Sequence, residues 1–332
     1  MTSLPLYRVA FDATTLLREH PPRFKHTHKS ALFEMAYPDE PPSSIEIEVT
    51  RWAARVDNPL VFLDSSRVEI QPNYNDYRPV GDPATSLEWH VNFADPQLFV
   101  AYGSALFAHD EMQVAEHPIL GSVREAILAR GLAALTQEAG QPTPVLVRNV
   151  ERRIAVATDI NAAQGRPRGL YGNRFAEAPL DVVRRATQRI DPPTLSQIIA
   201  IAAPCGGRGD YTLGQIERIL MTAITAFASA RSETFRSRGE SCETVIHTGF
   251  WGCGAFGGNR KLMVAVQRLA SRAAGVGTLV FHTADEAGAA ETQTALDVAQ
   301  AIALRCGASC SLRTLAGHLE MLGYRWGVSD GN

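Results

Sequence analysis

From residue 86 onward, apolar runs of two kinds alternate along the chain. "EWHVNFA", "TPVLVRNV" or "RRIAVATDI", "LSQIIAIAAP", "ETVIHTG" and "GTLVFHTA" are short and mostly rich in β-branched residues, the pattern of buried strands. Between them lie longer stretches with helical patterning: "HPILGSVREAILARGLAAL", "LDVVRRATQRI", "TLGQIERILMTAITAFASARSETFRSRG", "RKLMVAVQRLASRAA" and "ETQTALDVAQAIALR". Strands separated by such helices predict βαβ units, hence an α/β fold whose mixed, largely parallel sheet is covered on both faces. The first 85 residues differ. Proline-rich turns, "EHPPRF", "YPDEPPSS" and "QPNYNDYRPVGDP", separate short strand-like runs, "IEIEVTRWA" and "LVFLDSS". This predicts an accessory segment over 1–85 wrapped on a main domain over 86–330.

Composition narrows the partners. With 332 residues, 45% hydrophobic and 20% charged, the chain is long enough to bury a large core. A net charge of −3, with acids and bases mixed, offers no basic stripe for nucleic acid. No apolar run approaches the roughly 18 residues of a membrane span, and "MTSLPLYRVAFDATT" lacks the layout of a secretion signal, so a cytoplasmic protein without membrane contact is expected. Five cysteines, Cys205, Cys242, Cys253, Cys306 and Cys310, show no CxxC spacing, and His20, His26 and His28 fit no metal spacing. Neither a metal nor a cofactor is expected.

The most unusual stretch is "HTGFWGCGAFGGNRK", 247–261, with five glycines and three aromatic rings at a strand-to-helix turn. Such a turn aims unpaired backbone N–H groups and the positive end of a helix dipole at one point, which suits a diphosphate. Gly252, Gly254 and Gly257 also spell the GxGxxG of a dinucleotide turn. Against that reading, Asp285 lies 28 residues beyond Gly257 rather than about 20, and Trp251 and Phe256 are bulky for a pyrophosphate turn.

"TGFWGCGAFGGNRKLMVAVQRLA" closely resembles the signature loop of the poly(ADP-ribose) glycohydrolase type of macrodomain. "VNFADPQLFVAYGSALFAHDEMQVAEHP" is similar to that family's strand and catalytic loop, "RGLYGNRFAEA" to its adenine segment and "LSQIIAIAAP" to a later central strand. The resemblance covers about residues 86–300. It implies a three-layer α/β/α macrodomain with ADP-ribose in a cleft at the strand ends. The implied ADP-ribose contacts are Asn92, Asp95, Gly103, Thr248, Gly249, Gly252, Gly254, Ala255, Phe256, Gly257, Gly258 and Phe281, with Phe175 or Tyr171 under the adenine and Trp251 packed beneath the loop. Three departures stand out. The family's three glycines become Tyr102, Gly103 and Ser104, its Q-E-E becomes "HDEMQVAE", and the Asp after its G-G is Asn259.

Asp110, Glu111 and Glu116 are the candidate catalytic residues at the matched loop. Cleavage at a ribose anomeric carbon passes through an oxocarbenium-like state, which calls for one group to activate water and another to protonate the leaving atom. Carboxylates held at different pKa values do both. Taken alone, the same acids also fit a solvated helix start complementing the dipole. His109 and His117 read as surface or supporting residues, and His247 and His282 as satisfied core histidines. The expected function is an ADP-ribosyl hydrolase releasing ADP-ribose from mono-ADP-ribosylated protein, from arginine side chains by resemblance to that branch. Poly(ADP-ribose) glycohydrolase activity and non-catalytic ADP-ribose binding are the alternatives.

Overall fold

The computed structural model describes residues 4–38, 43–63, 65–72 and 77–331; parts of two turn stretches (39–42 and 73–76) and Asp64 of "LVFLDSS" lie outside the described residues. Along the chain run β1 (Tyr7–Asp12), α1 (Ala13–Glu19), α2 (Thr27–Ala36), β2 (Glu46–Arg51), β3 (Leu60–Val61), β4 (Arg67–Gln71), β5 (Ser86–Phe93), α3 (His109–Glu116), α4 (Ile119–Ala129), β6 (Gln137–Glu138), β7 (Gln141–Pro142) and β8 (Val145–Val156). There follow α5 (Arg174–Glu177), α6 (Leu180–Ala186), β9 (Thr187–Ile201), α7 (Leu213–Arg238), β10 (Glu243–Thr248), α8 (Arg260–Ala274), β11 (Thr278–His282), α9 (Glu286–Cys306), β12 (Ser309–Cys310) and α10 (Leu312–Glu320).

Eight strands form one sheet in the order β1-β2-β8-β9-β5-β10-β11-β4. The pairs from β9 to β4 are parallel and those from β1 to β9 antiparallel, which gives the predicted mixed α/β sheet. Alternation along β5 sorts its side chains to two layers. Leu87, Trp89 and Val91 enter the larger core beneath α7, α8, α9 and α10, while Glu88, His90 and Asn92 alternate with them and point to the opposite face. The second core, on that opposite face, joins β2, β8 and β9 to α1 and α4 through Ile47, Val147, Ile198, Leu16 and Val123.

Two boundaries differ from the sequence pattern. "TPVLVRNV" and "RRIAVATDI" share the single strand β8, which absorbs a register shift between Val147 and Val150 where Asn149 takes a positive φ of 60°. The helix "LDVVRRATQRI" stops at Ala186, because β-branched Thr187 and the following Pro192 and Pro193 favour extended backbone. The larger correction concerns residues 1–85. Expected to wrap the outside, this segment supplies β1 and β2 at one edge of the sheet and β4 at the other. No helix of the described residues is long and apolar enough to cross a membrane.

Candidate active site

One wall of the site begins where β5 ends. Helix α3 starts at His109, and the Glu111 carboxylate accepts the Ala108 backbone N–H at 3.1 Å, tying the helix start in place. Asp110, one residue earlier, accepts from Asn92 Nδ2 at 3.0 Å. Both acids sit in the first turn and are nearly inaccessible, 6% and 4% exposed.

The opposite wall is the glycine loop between β10 and α8. Gly252 and Gly257 take φ of +73° and +67°, and a Cβ on Gly252 would lie 2.4 Å from that of Ala203. Asn259 caps α8, its Oδ1 accepting from Leu262 N at 3.1 Å. The backbone N–H groups of Cys253, Gly257 and Gly258 bond within the loop. Those of Gly252, Gly254, Ala255 and Phe256 bond to none of the described residues, and all four residues line the cleft. A row of unspent donors at a helix N-terminus is what an anion such as a diphosphate requires.

Between the walls lies a cleft of about 280 Å³, lined by Asp95, His109, Asp110, Glu111, Tyr171, Trp251 and the loop residues Gly252 and Gly254 to Phe256 among others. Burial pushes the Asp110 carboxyl well above the usual carboxylate range, and the charge of Glu111 pushes it further. Glu111 is also raised by burial, but Lys29 and backbone N–H groups oppose that rise. Of this coupled pair, Asp110 is therefore the acid more disposed to hold a proton and Glu111, facing Lys29, the one more disposed to carry the charge. Lys29 is fully buried, donates from Nζ to the Tyr102 carbonyl at 3.0 Å and lies over the Phe107 ring. Burial brings its pKa down to about 8, with Glu111 and Asp110 acting the other way. This lysine comes from α2, in the segment that sequence reasoning set apart. Its signal was its register: Lys29, Leu32 and Ala36 share the buried face of α2.

The other candidates fall on either side of the line. Asp95, Tyr171, Gly252, Gly254, Ala255 and Phe256 face the cleft, and Trp251 lines it while donating from Nε1 to the Ile201 carbonyl at 3.1 Å. Asp95 also accepts from Gln97 N at 2.8 Å as a turn residue. Glu116 does not join Asp110 and Glu111. Six residues beyond Asp110 on a helix of 3.6 residues per turn, it points away and accepts from Arg152 Nε and Val156 N, each at 2.9 Å. Asn92 supports Asp110 from beneath and is wholly buried. Gly103 packs on the N-terminal segment, where a Cβ would come within 2.2 Å of the Arg23 carbonyl oxygen. Thr248 is buried and bonds to Gln267, and Gly249 accepts from the same glutamine. Gly257 and Gly258 shape the loop from outside the cleft lining. Phe175 is a core residue stacked on Phe107 at 4.1 Å, and Phe281 packs edge-on against Phe250, so neither offers a face to a ligand. Of the two rings expected beneath an adenine, Phe175 and Tyr171, Tyr171 is the one that lines the cleft. His109 and His117 are buried, not surface, residues whose pKa values burial brings to about 3, so both are neutral.

One neighbour of the glycine loop carried no signal in the sequence. Residues 325–331 run along it, Gly327 N donating to the Gly257 carbonyl at 2.8 Å and Asp330 N to that of Gly254 at 3.4 Å. The Asp330 carboxylate lies beside Gly254, an anion next to the unspent donors. A group of side chains able to hold a metal, Glu88, His90 and His247, lies outside the cleft lining.

Residues 169–291 match the family model described as poly(ADP-ribose) glycohydrolase (PARG), macro domain fold. That segment holds Tyr171, β9, β10, the glycine loop, α8 and β11. No curated protein sequence matches the chain. Among solved structures, poly(ADP-ribose) glycohydrolase from Thermomonospora curvata bound to the inhibitor ADP-HPD is similar at 13% identity and a TM-score of 0.47, over 81% of this chain and 97% of that one. The enzyme from Deinococcus radiodurans in complex with ADP-ribose is similar at 13% identity and a TM-score of 0.37, over 87% and 92%.

Proposed function

We propose that the protein is an ADP-ribosyl hydrolase that releases ADP-ribose from a modified protein, with arginine as the modified side chain. The observation that carries this reading is the pairing, across one cleft, of four open backbone N–H groups with two adjacent buried acids. In it, the diphosphate rests on Gly252 and Gly254 to Phe256, Tyr171 lies against the adenine, and the distal ribose reaches α3. Asp110 gives its proton to the leaving nitrogen as the bond to the anomeric carbon breaks. Glu111 takes a proton from the water that forms the new C–O bond, by analogy with glycoside hydrolysis. The oxocarbenium-like state develops beside the Glu111 charge, which a water-poor cleft makes more effective.

Arginine as leaving group is supported by the "HDEMQVAE" loop, which departs from the Q-E-E pattern expected of a polymer-cutting site. Poly(ADP-ribose) glycohydrolase activity is the second reading, favoured by the family match over 169–291. A release assay separates them. Purified protein receives one substrate mono-ADP-ribosylated on arginine and one carrying poly(ADP-ribose), with calorimetric titration of ADP-ribose alongside. Release from the arginine substrate alone supports the first reading, and release from polymer alone the second. Binding without release makes the protein a reader of ADP-ribose. Absence of binding overturns the assignment of the cleft.

A further inference from the structure

The face of the sheet that carries Asn92 also carries a compact group of imidazoles that the proposed reaction does not use. Glu88 and His90 come from β5 and His247 from the adjacent β10, where His90 and His247 are register partners. Their donor atoms all lie within 4.8 Å of one another. His247 Nε2–H donates to Glu88 Oε2 at 2.8 Å, and His247 Nδ1 pairs with His282 Nε2 at 3.1 Å. Glu88 is oriented in turn, its Oε1 accepting from Val80 N and Gly81 N at 2.8 Å each. His90 stacks on His247 and on Tyr77, but its ring nitrogens make no hydrogen bond among the described residues.

We propose that Glu88, His90 and His247 form a binding site for a divalent transition-metal ion of the zinc class. Two imidazoles and one carboxylate are a donor set that zinc accepts, with a fourth position left for water. The supporting contacts follow the pattern of metal sites, in which each ligand's remaining polar atom is held by a neighbour. His282 does this for His247, and the amides of Val80 and Gly81 do it for Glu88. Zinc–ligand distances of about 2.0–2.2 Å place tetrahedral donors roughly 3.3 Å apart, so the cluster closes around an ion by small side-chain rotations, chiefly of His90. Loading moves His247 and His282 each to the other neutral tautomer, His247 Nδ1–H then donating to His282 Nε2, with no net change in protons. Glu88 and His90, only partly buried, leave a way in, while buried His247 anchors the site. Distance along the chain explains why no ligand spacing is visible in the sequence.

The full-length protein, treated with a chelator and desalted, is incubated with zinc chloride, desalted again and analysed for metal and thermal stability. Retention of about one zinc per chain, with a rise in Tm that magnesium does not produce, is the expected result. His90→Ala, at a partly buried residue without hydrogen bonds to the described residues, should keep the circular dichroism of the parent and lose the zinc. His282→Asn should weaken binding by about 10- to 100-fold. His20→Ala, elsewhere, should bind as the parent does. No retained zinc in the parent, or equal retention in folded His90→Ala and His247→Asn, overturns the site.

Discussion

Asp110 and Glu111 are adjacent in sequence, and burial raises the pKa of both, that of Asp110 further. Among the described residues Asn92 bonds to the Asp110 side chain, whereas for Glu111 Lys29 is the main opposing cause and the helix-start amides add to it. Asp110→Asn is therefore expected to lower release by about 100- to 10,000-fold while leaving ADP-ribose affinity little changed, as turnover and calorimetry would show. The same substitution bears on stability. Because the folded pKa is raised, the folded chain keeps a proton that the unfolded chain gives up near the ordinary value of about 3.9. The group's contribution is complete below that pH and is lost as pH rises through the folded pKa. Asp110→Asn should then melt higher than the parent at pH 8, and the difference should vanish towards pH 4. Lys29→Met removes the cation that opposes the rise of the Glu111 pKa, so Glu111 must titrate higher. The acidic limb of the kcat/KM profile should move to higher pH; an unmoved limb with lowered stability would make Lys29 purely structural.

At the scale of elements, what was legible in the sequence was what is contiguous. The glycine loop announces its turn and its open amides in fifteen consecutive residues, and the parallel β10-α8-β11 crossover around it follows from βαβ patterning. Direction around a helix was harder to read. Glu116 belongs to the same short run as Asp110, but its angle on α3 sends it to Arg152, a buried ion pair at 2.9 Å. Glu116→Gln removes the negative charge from this buried pair, and breaking such pairs costs about 3–5 kcal/mol. The expected outcome is a large fall in Tm with turnover per folded molecule preserved; loss of turnover at full stability would restore Glu116 to the chemistry. Contacts made only by tertiary packing were out of reach, as with Phe175 on Phe107 and the 325–331 segment on the glycine loop. That segment places Asp330 near the open amides, where its charge opposes a diphosphate. Asp330→Asn should tighten ADP-ribose binding by a few fold, most visibly at low salt, whereas Ala255→Glu, which puts an acid into the cleft itself, should abolish it.

At the scale of the molecule, the question is what the first 85 residues do. Proline-rich turns made them look separable, since strands β1, β2 and β4 are only five or six residues long and lie between those turns. Their pairing is decided by partners far along the chain: β2 against β8 and β4 against β11. Packing gives the same answer. Phe11, Leu16, Leu32, Ile47 and Val49 are all buried, and at about 2 kcal/mol each they represent about 10 kcal/mol of apolar burial. A whole domain's net stability is typically about 5–15 kcal/mol. Removing residues 1–51 also strips Lys29 from the acid pair and exposes the edge of β8 to pairing with other chains. The shortened chain should lack cooperative unfolding and aggregate, as circular dichroism melts and size-exclusion chromatography would show. If it instead melts cooperatively and releases ADP-ribose at the parent rate, the sheet from β8 to β11 is self-sufficient and Lys29 has no part in the reaction. Folding without release would separate the two roles, leaving the core intact and placing the N-terminal segment's importance in the charge it delivers beneath Glu111.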